Sequence, residues 1–348
     1  MFIRNRWYAA AWDHEISGKP FARKICGEPI VFYRKSDRGI AALEDVCPHR
    51  LAPLSKGKIS NDCITCGYHG ITYDAMGKAV SLPGGGSVER WVNVKSYPVV
   101  ESHRFIWVWI GDPQLASKTD LPNLWFCSDP AWAFDGGHYH VKCDYRLILD
   151  NLLDLTHETY VHPTTIGQAE IEDAPIEARQ DDNSVTVSRW MHGIDPPPVW
   201  KSRISYEGKS DRWQISRFTP PSQILIEVGV APVGQVKSED DIRGKHGGVG
   251  GVVVNLITPE TDTTSWYFWG HARNYNVADS GFTIRNRDVQ GRIFLEDLDM
   301  LEAQQINMKD FPDRYLANLK FDAGSRLARR MIENELERAG RATTLANK

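Results

Sequence analysis

Two short cysteine–histidine pairs constrain this chain more than any other feature. Cys47 and His49 are spaced C-x-H, Cys66 and His69 are spaced C-x2-H, and sixteen residues separate the pairs. Two thiols and two imidazoles so arranged can hold a tetrahedral zinc or a two-iron cluster. Each pair sits in a turn-rich stretch, with Pro48, Pro53 and Gly57 around the first and Gly67 and Gly70 around the second. Two loops meeting at a tip suit a cluster, whereas zinc fingers more often carry their second pair on a helix with a longer histidine spacing. The quartet also matches in number a cluster with two thiolates on one iron and two imidazoles on the other. Neutral imidazoles raise its reduction potential above that of an all-thiolate cluster. Cys63 forms C-x2-C with Cys66 and is the rival ligand, but a zinc site built on it leaves His69 unexplained.

The rest of the chain reads as two domains, since 348 residues exceed the roughly 150 typical of one. Residues 1–112 are β-rich: PIVFYRK, GIAALEDV, ITYDAMGKAV and FIWVWIG are separated by Gly, Pro and Asp turn signals, with a hairpin turn at DAMG, 74–77. Prolines 113, 122 and 130 mark residues 113–130 as a linker. Residues 131–348 hold a periodic segment over 143–162, alternating stretches such as SVTVSRW, QILIEVGVA and SWYFWGHARNY, and helices over 281–309 and 322–340. One antiparallel sheet with helices around it predicts an α+β domain. GGVGG at 247–251 precedes a valine strand instead of opening a helix, so it is expected to be a flexible loop, not a nucleotide loop.

Composition removes several function classes. The formal net charge of −4 lacks the basic surplus of a nucleic-acid binder. No apolar run reaches the roughly 18 residues of a membrane span, and Asp13, His14 and Glu15 cut short any leader-like apolar stretch. A cytoplasmic protein is expected. Six cysteines are too few for a disulfide scaffold; Cys26, Cys127 and Cys143 read as small buried hydrophobes.

A second constellation lies in CDYRLILDNLLDLTHETYVHP. His157 and His162, with one carboxylate, offer the facial triad of non-haem Fe(II) oxygen chemistry. Five residues rotate about 140° on a helix, so a regular helix would point the two rings apart; the helix must end or bend between them, and Pro163 forbids its continuing far. Asp150, Asp154 and His157 fall at i, i+4 and i+7 on one face. Asp154, three residues before His157, is within reach of the second ring nitrogen and could orient the ring. The helix GRIFLEDLDMLEAQQ offers Glu296, Asp297, Asp299 and Glu302. On a helical wheel Asp297 lies beside Ile293, Phe294, Met300 and Leu301, whereas Asp299 and Glu302 point to the solvated side. A lone acid on an apolar face needs a partner, and a metal is a good one.

CPHR and CGYHG, with D-x3-D-x2-H-x4-H, resemble the Rieske-type non-haem iron oxygenases. WYAA, DRWQISRF, ILIEVGVA, ITPETDTTSWYFWGHARN and IFLEDLDMLEAQQ extend the resemblance over essentially the whole chain, toward oxygenase components of the vanillate O-demethylase type. The resemblance implies an N-terminal all-β Rieske [2Fe-2S] domain with Cys47, His49, Cys66 and His69 as ligands. It implies a C-terminal helix-grip (START-like) catalytic domain whose mononuclear Fe(II) is held by His157, His162 and Asp297. It further implies a homotrimer in which Asp154 bridges His157 to a cluster histidine of the next subunit. Electrons from NAD(P)H would arrive through a separate flavin and ferredoxin-type reductase, since the chain carries no flavin or nicotinamide signature of its own. The expected reaction inserts oxygen into an aryl methoxy C–H; the hemiacetal collapses to a phenol and formaldehyde, vanillate giving protocatechuate. Syringate, veratrate or toluenesulfonate are alternative substrates, and a Rieske electron carrier fused to a ligand-binding module is the non-enzymatic alternative. Arg217 and Arg273, in strands with aromatic neighbours, are candidates for the substrate carboxylate, with structural ion pairs as the rival role for each.

Overall fold

Ile30, Val31, Phe32 and Tyr33 are all fully buried. A strand alternates its side chains between two faces, so the strand that carries them must be covered on both. This layering organises the N-terminal unit of the computed structural model, which describes residues 1–85, 92–167, 171–172, 174–243 and 246–346. The chain divides into two compact units, Met1–Leu124 with Thr258–Thr261, and Trp125–Ile257 with Asp262–Lys348. In the first, the strands are β1 (Arg6–Trp12), β2 (Phe21–Ile25), β3 (Glu28–Arg34), β4 (Ile40–Glu44), β5 (Lys58–Ser60), β6 (Cys63–Thr65), β7 (Thr72–Tyr73), β8 (Ala79–Ser81), β9 (Val99–Ser102) and β10 (Phe105–Ile110). They pair as β1-β10-β9, β2-β3-β4 and β5-β6-β7-β8. Ile30 and Phe32 of β3 pack with Tyr8, Ile25, Ile106 and Val108. Val31 and Tyr33 face a second cluster containing Leu43, Leu54, Ile64 and Tyr73, to which Cys47 and Cys66 belong. Each such aliphatic contributes about 1.5–3 kcal/mol when fully buried. The DAMG turn closes as expected: Gly77 N–H donates to the Asp74 carbonyl, between β7 and β8.

The second unit contains β11 (Ala133–Val141), α1 (Tyr145–Leu153), α2 (Glu158–Val161), β12 (Ile176–Gln180), β13 (Val185–Ile194), α3 (Pro198–Lys201), β14 (Ser210–Thr219), β15 (Gln223–Pro232), α4 (Glu239–Arg243), β16 (Val249–Thr261, its end belonging to the first unit), β17 (Thr264–Arg273), α5 (Ser280–Asp310) and α6 (Ala323–Ala346). Seven strands form one antiparallel sheet in the order β11-β17-β16-β15-β14-β13-β12. The long helix α5 starts at Asp279, whose carboxylate accepts the Phe282 N–H as an N-cap. It lies against β11 and β17, and Tyr139 Oη donates to the Gly291 carbonyl at 3.0 Å. A Cβ at Gly291 would stand 3.0 Å from both Trp269 and Tyr139, a tight contact that glycine relieves. This is the α+β, helix-grip arrangement expected.

Two local expectations change. The periodic segment 143–162 is two helices, α1 and α2, separated by Asp154–His157. The last three residues of GGVGG are not loop: Val249, Gly250 and Gly251 pair with Val230, Gly229 and Val228 of β15. The flanking strand captures them because backbone ladder bonds do not need side chains. Cys26, Cys127 and Cys143 are buried, as expected. Among the described residues no helix is long and apolar enough to cross a membrane.

Candidate metal centres

The loops that carry the first quartet are built on one hydrogen-bond frame. Cys47 N–H donates to the Ala52 carbonyl and Leu51 N–H to the Cys47 carbonyl; Cys66 N–H donates to the Ile71 carbonyl and Gly70 N–H to the Cys66 carbonyl, all at 2.8–3.0 Å. The fourth residue after each cysteine has left-handed backbone, Leu51 at φ +56° and Gly70 at φ +78°. Glycine adopts that conformation freely and leucine does not. The histidine is second after its cysteine in one loop and third in the other, and the His49 and His69 ring centroids are 4.4 Å apart. Both thiols are buried and both imidazoles exposed. The Tyr73 hydroxyl lies 3.3 Å from Cys47 Sγ. This donor set fits a two-iron cluster with its thiolate end in the core and its imidazole end at the surface. Cys63 is outside both frames, on β6 opposite Ser60. Burial, then the Asp74 and Asp62 carboxylates, push its thiol pKa up, the reverse of what a thiolate ligand needs.

In the second unit His157, His162 and Asp297 converge, with one ligand atom of each within 4.8 Å of the others. Asp297 Oδ1 is 3.4 Å from His157 Nε2 and 3.2 Å from His162 Nε2. The two histidines bracket α2: His157 is its N-cap, and His162 leaves helical geometry at φ −117°, ψ 45°. That departure replaces the 140° divergence of a continuous helix. The expected break is therefore at both ends of one turn, not only between the rings. Each ring turns Nε2 inward because Nδ1 is engaged elsewhere, His157 Nδ1 with the Asp154 carbonyl and His162 Nδ1 with Glu296 Oε2 at 2.6 Å. Asn151 of α1 donates to Asp297 Oδ1 at 3.0 Å. Burial alone would lower the His162 pKa, but its bonds to Asp297 and Glu296 outweigh that and raise it. A cation and a proton thus compete for one face of that ring. Two imidazoles and one carboxylate, with Asp297 only 5% exposed, fit a mononuclear divalent iron with open positions.

A cavity opens on these three residues. Its walls are largely apolar, including Leu155, Ile166, Ile226, Val253, Ile293 and Phe294. Its polar residues outside the triad include Glu158, Gln214, Arg212, Arg203 and His271. Gln214 Nε2 donates to both Glu158 oxygens, at 2.6 and 2.9 Å, with Arg212 beside them at 3.7 Å. Apolar walls exclude water and strengthen each remaining polar contact.

The structure departs from the sequence reading at several side chains. Asp154 does not reach the His157 ring with its carboxylate. Being the C-cap of α1, at φ −99°, ψ 104°, it turns out of helical register, and Oδ1 accepts from Thr156 N and Oγ1 at 2.7 and 2.6 Å. Asp150 pairs with Arg329 of α6. Asp299 is exposed, but Glu302 is half-buried and accepts the Lys142 N–H at 2.9 Å. Arg217 pairs with Glu239 and Glu227, and Arg273 bonds the Tyr275 carbonyl and Thr283, so neither serves the cavity. Arg203 and His271, which do line it, were not singled out. The signal for Glu296 was available only as adjacency: it stands one residue before Asp297, on the flank of the apolar face.

Comparison with known proteins agrees with this geometry. The family described as "Rieske [2Fe-2S] domain" matches residues 6–98, and "Vanillate O-demethylase oxygenase C-terminal domain" matches residues 141–338. A vanillate O-demethylase oxygenase subunit from Pseudomonas sp. is 47% identical over 97% of this chain and 95% of its own length. A crystal structure of dicamba monooxygenase bound to 3,6-dichlorosalicylic acid superposes with TM-score 0.90 at 33% identity, covering 97% of this chain and 99% of that one. Another, of dicamba monooxygenase with non-haem iron and dicamba, gives TM-score 0.84 at 32% identity, covering 98% and 99%.

Proposed function

Since the chain belongs to the Rieske oxygenases of the vanillate O-demethylase family, we propose that it is the oxygenase component of an aromatic O-demethylase acting on vanillate. The overall reaction takes vanillate, O2, NAD(P)H and a proton to protocatechuate, formaldehyde, water and NAD(P)+. The observation that carries this reading is the inward convergence of His157 Nε2, His162 Nε2 and Asp297 on an apolar-walled cavity, in a chain that also has the paired Cys–His loops. Cys47, His49, Cys66 and His69 would hold the [2Fe-2S] cluster, and His157, His162 and Asp297 the Fe(II). When bound, the cluster supplies single electrons and the iron supplies dioxygen activation.

The chain's own residues do the rest. Asn151 and Glu296 fix the orientation of Asp297 and His162, so that the ligand atoms that would hold the iron stay converged at the cavity. Ile226, Val253, Ile293 and Phe294 form apolar wall for an aromatic ring and keep water from the reacting methyl group. We place the cluster-carrying domain at residues 1–112, the linker at 113–130 and the catalytic domain at 131–348. The reductase partner would carry flavin and a ferredoxin-type cluster, and its NAD(P)H requirement fits a cytoplasmic location. The test is purified protein with a matched reductase, assayed for formaldehyde and phenol from vanillate and from syringate. Formaldehyde at cluster-dependent rates from vanillate is expected; none from any methoxyarene would sink the reading.

We further propose assembly as a trimer, with Asp154 as the bridge to a cluster histidine of the next subunit. Asp154 lines an outward groove with Met300, Met308 and Leu316. Those apolar side chains are 62%, 38% and 65% exposed, the kind of patch that association covers. Among the described residues, only Oδ1 of Asp154 is engaged in its own chain, by Thr156. Asp154→Asn keeps an oxygen for Thr156 and leaves the backbone carbonyl on His157, so fold and both metal contents should match wild type. Oxidation of a pre-reduced cluster in single turnover should nevertheless slow by at least about tenfold, as a lost charge-assisted bond implies. Unchanged transfer, or full activity in a species that sediments as a monomer, would remove the bridge.

A further inference from the structure

Resting on the reading that the substrate is an aromatic acid, we propose that Arg203 and His271, held in place by Asn286, form the subsite that grips its carboxylate. The argument begins with bond polarity. An arginine can only donate, so the Asn286 atom 2.9 Å from Arg203 Nη2 is the amide oxygen. The amide nitrogen therefore faces His271 Nδ1, 2.9 Å away, and donates to it. Nδ1 being an acceptor, the ring proton sits on Nε2. That Nε2 is buried and has no hydrogen-bond partner among the described residues, although His271 is part of the cavity wall. A buried N–H without an acceptor is costly, and an oxygen brought by a ligand removes the cost. Room beside it is kept by Gly251 of β16, where a Cβ would come within 2.4 Å of Nε2.

The charge comes from Arg203. Its guanidinium is held by neutral groups: Asn286 Oδ1, Tyr275 Oη at 3.3 Å, and the faces of Trp200 and Phe282 at 5.2 and 5.8 Å. Among the described residues no carboxylate pairs with it. Arg212 stands beside Glu158, Arg217 is paired with Glu239, and Arg273, bonded to the Tyr275 carbonyl and Thr283, does not line the cavity; among the described residues Arg203 is the cavity cation left for a ligand anion. His271 does not share that role: burial, with the Arg203 and Arg273 cations nearby, pulls its pKa down to about 3, and it stays a neutral donor. A fixed cation beside a fixed neutral N–H, at one wall of an otherwise apolar cavity, suits a carboxylate on an aromatic ring.

The test is equilibrium binding, by calorimetry, to the iron-loaded full chain without reductant, so that no turnover occurs. Vanillate is compared with guaiacol, which keeps the methoxyphenol and lacks the carboxylate. Arg203→Gln and His271→Ala should each weaken vanillate binding by about 10- to 100-fold, the worth of a hydrogen bond to a charged group, with guaiacol unchanged. Arg203→Lys should recover part of the loss. Arg203 is only half-buried beside α3, so its variants decide the matter even where the buried His271 tolerates no change. Unchanged vanillate binding in the variants would overturn the subsite while leaving the substrate reading intact. Equal losses for vanillate and guaiacol would also overturn it, reducing these residues to cavity shape. Failure of the wild type to bind any methoxybenzoate would overturn the substrate reading itself, and the subsite with it.

Discussion

Asp297→Ala should abolish turnover and empty the mononuclear site while the cluster and its visible spectrum remain. The loss is local because Asp297 is the sole carboxylate of the inward-facing triad, and both histidines meet it through Nε2. Activity should fall by more than about 100-fold, beyond the 10–100-fold typical when only a supporting partner of a ligand is changed. Glu296→Gln supplies that lesser case: His162 keeps a neighbour for Nδ1 but loses the carboxylate charge, so iron affinity should drop by about 10–100-fold. Asp299→Ala, on the exposed side of α5, should be nearly silent. Iron per chain and formaldehyde production read all three. A silent Asp297 variant alongside an inactive Asp299 variant would mean that α5 is assigned in the wrong register.

His69→Cys should lower the cluster potential sharply. The substitution replaces a neutral ligand by an anion, moving the cluster from the Rieske range of about −150 to +300 mV toward the roughly −400 mV of an all-cysteine type. The exposed position of His69 leaves room for the exchange, and its loop frame is made by Cys66, Ile71 and Gly70, not by the imidazole. Cys63→Ser should leave spectrum and potential as they are, since Cys63 stands outside both frames. A redox titration followed by electron paramagnetic resonance measures both variants. Loss of the spectrum in the Cys63 variant would replace the ligand assignment.

What could be read from the sequence is what depends on spacing and periodicity. The C-x-H and C-x2-H pairs lie within short loops, so their geometry is local and visible in order of residues. Asp297 was visible because helical periodicity places one acid among Ile293, Phe294 and Leu301, all buried with it, although Met300, expected on the same face, is exposed. What depends on tertiary approach was not visible. Arg203 follows a one-turn helix and His271 lies two residues before the end of a strand; nothing in either segment announces that Asn286 of α5 joins them. Arg217 and Arg273 carried the same strand signal as a ligand-binding arginine, and only their actual partners separate them from one. The contact expected between the Asp154 carboxylate and the His157 ring is missing for a smaller reason. The helical spacing runs through His157, whereas α1 ends at Leu153, and a C-cap is free to turn its side chain back onto the next residues.

The two centres also differ in how far apart along the chain their residues lie, and this sets an order of assembly. The cluster loops are neighbours in sequence and are closed by hydrogen bonds spanning four or five residues. The triad is not: His162 and Glu296 are separated by 134 positions, and Asp297 arrives only when α5 docks against β11 and β17. Closing a long loop costs entropy that is recovered only after the intervening sheet has formed, so contacts of this range form late. A chain emerging from synthesis would therefore complete its N-terminal loops well before its histidines find their carboxylate. Assembly of the two donor sets follows as a sequence of two events, the cysteine–histidine loops closing in a half-folded polypeptide and the triad only in the finished one.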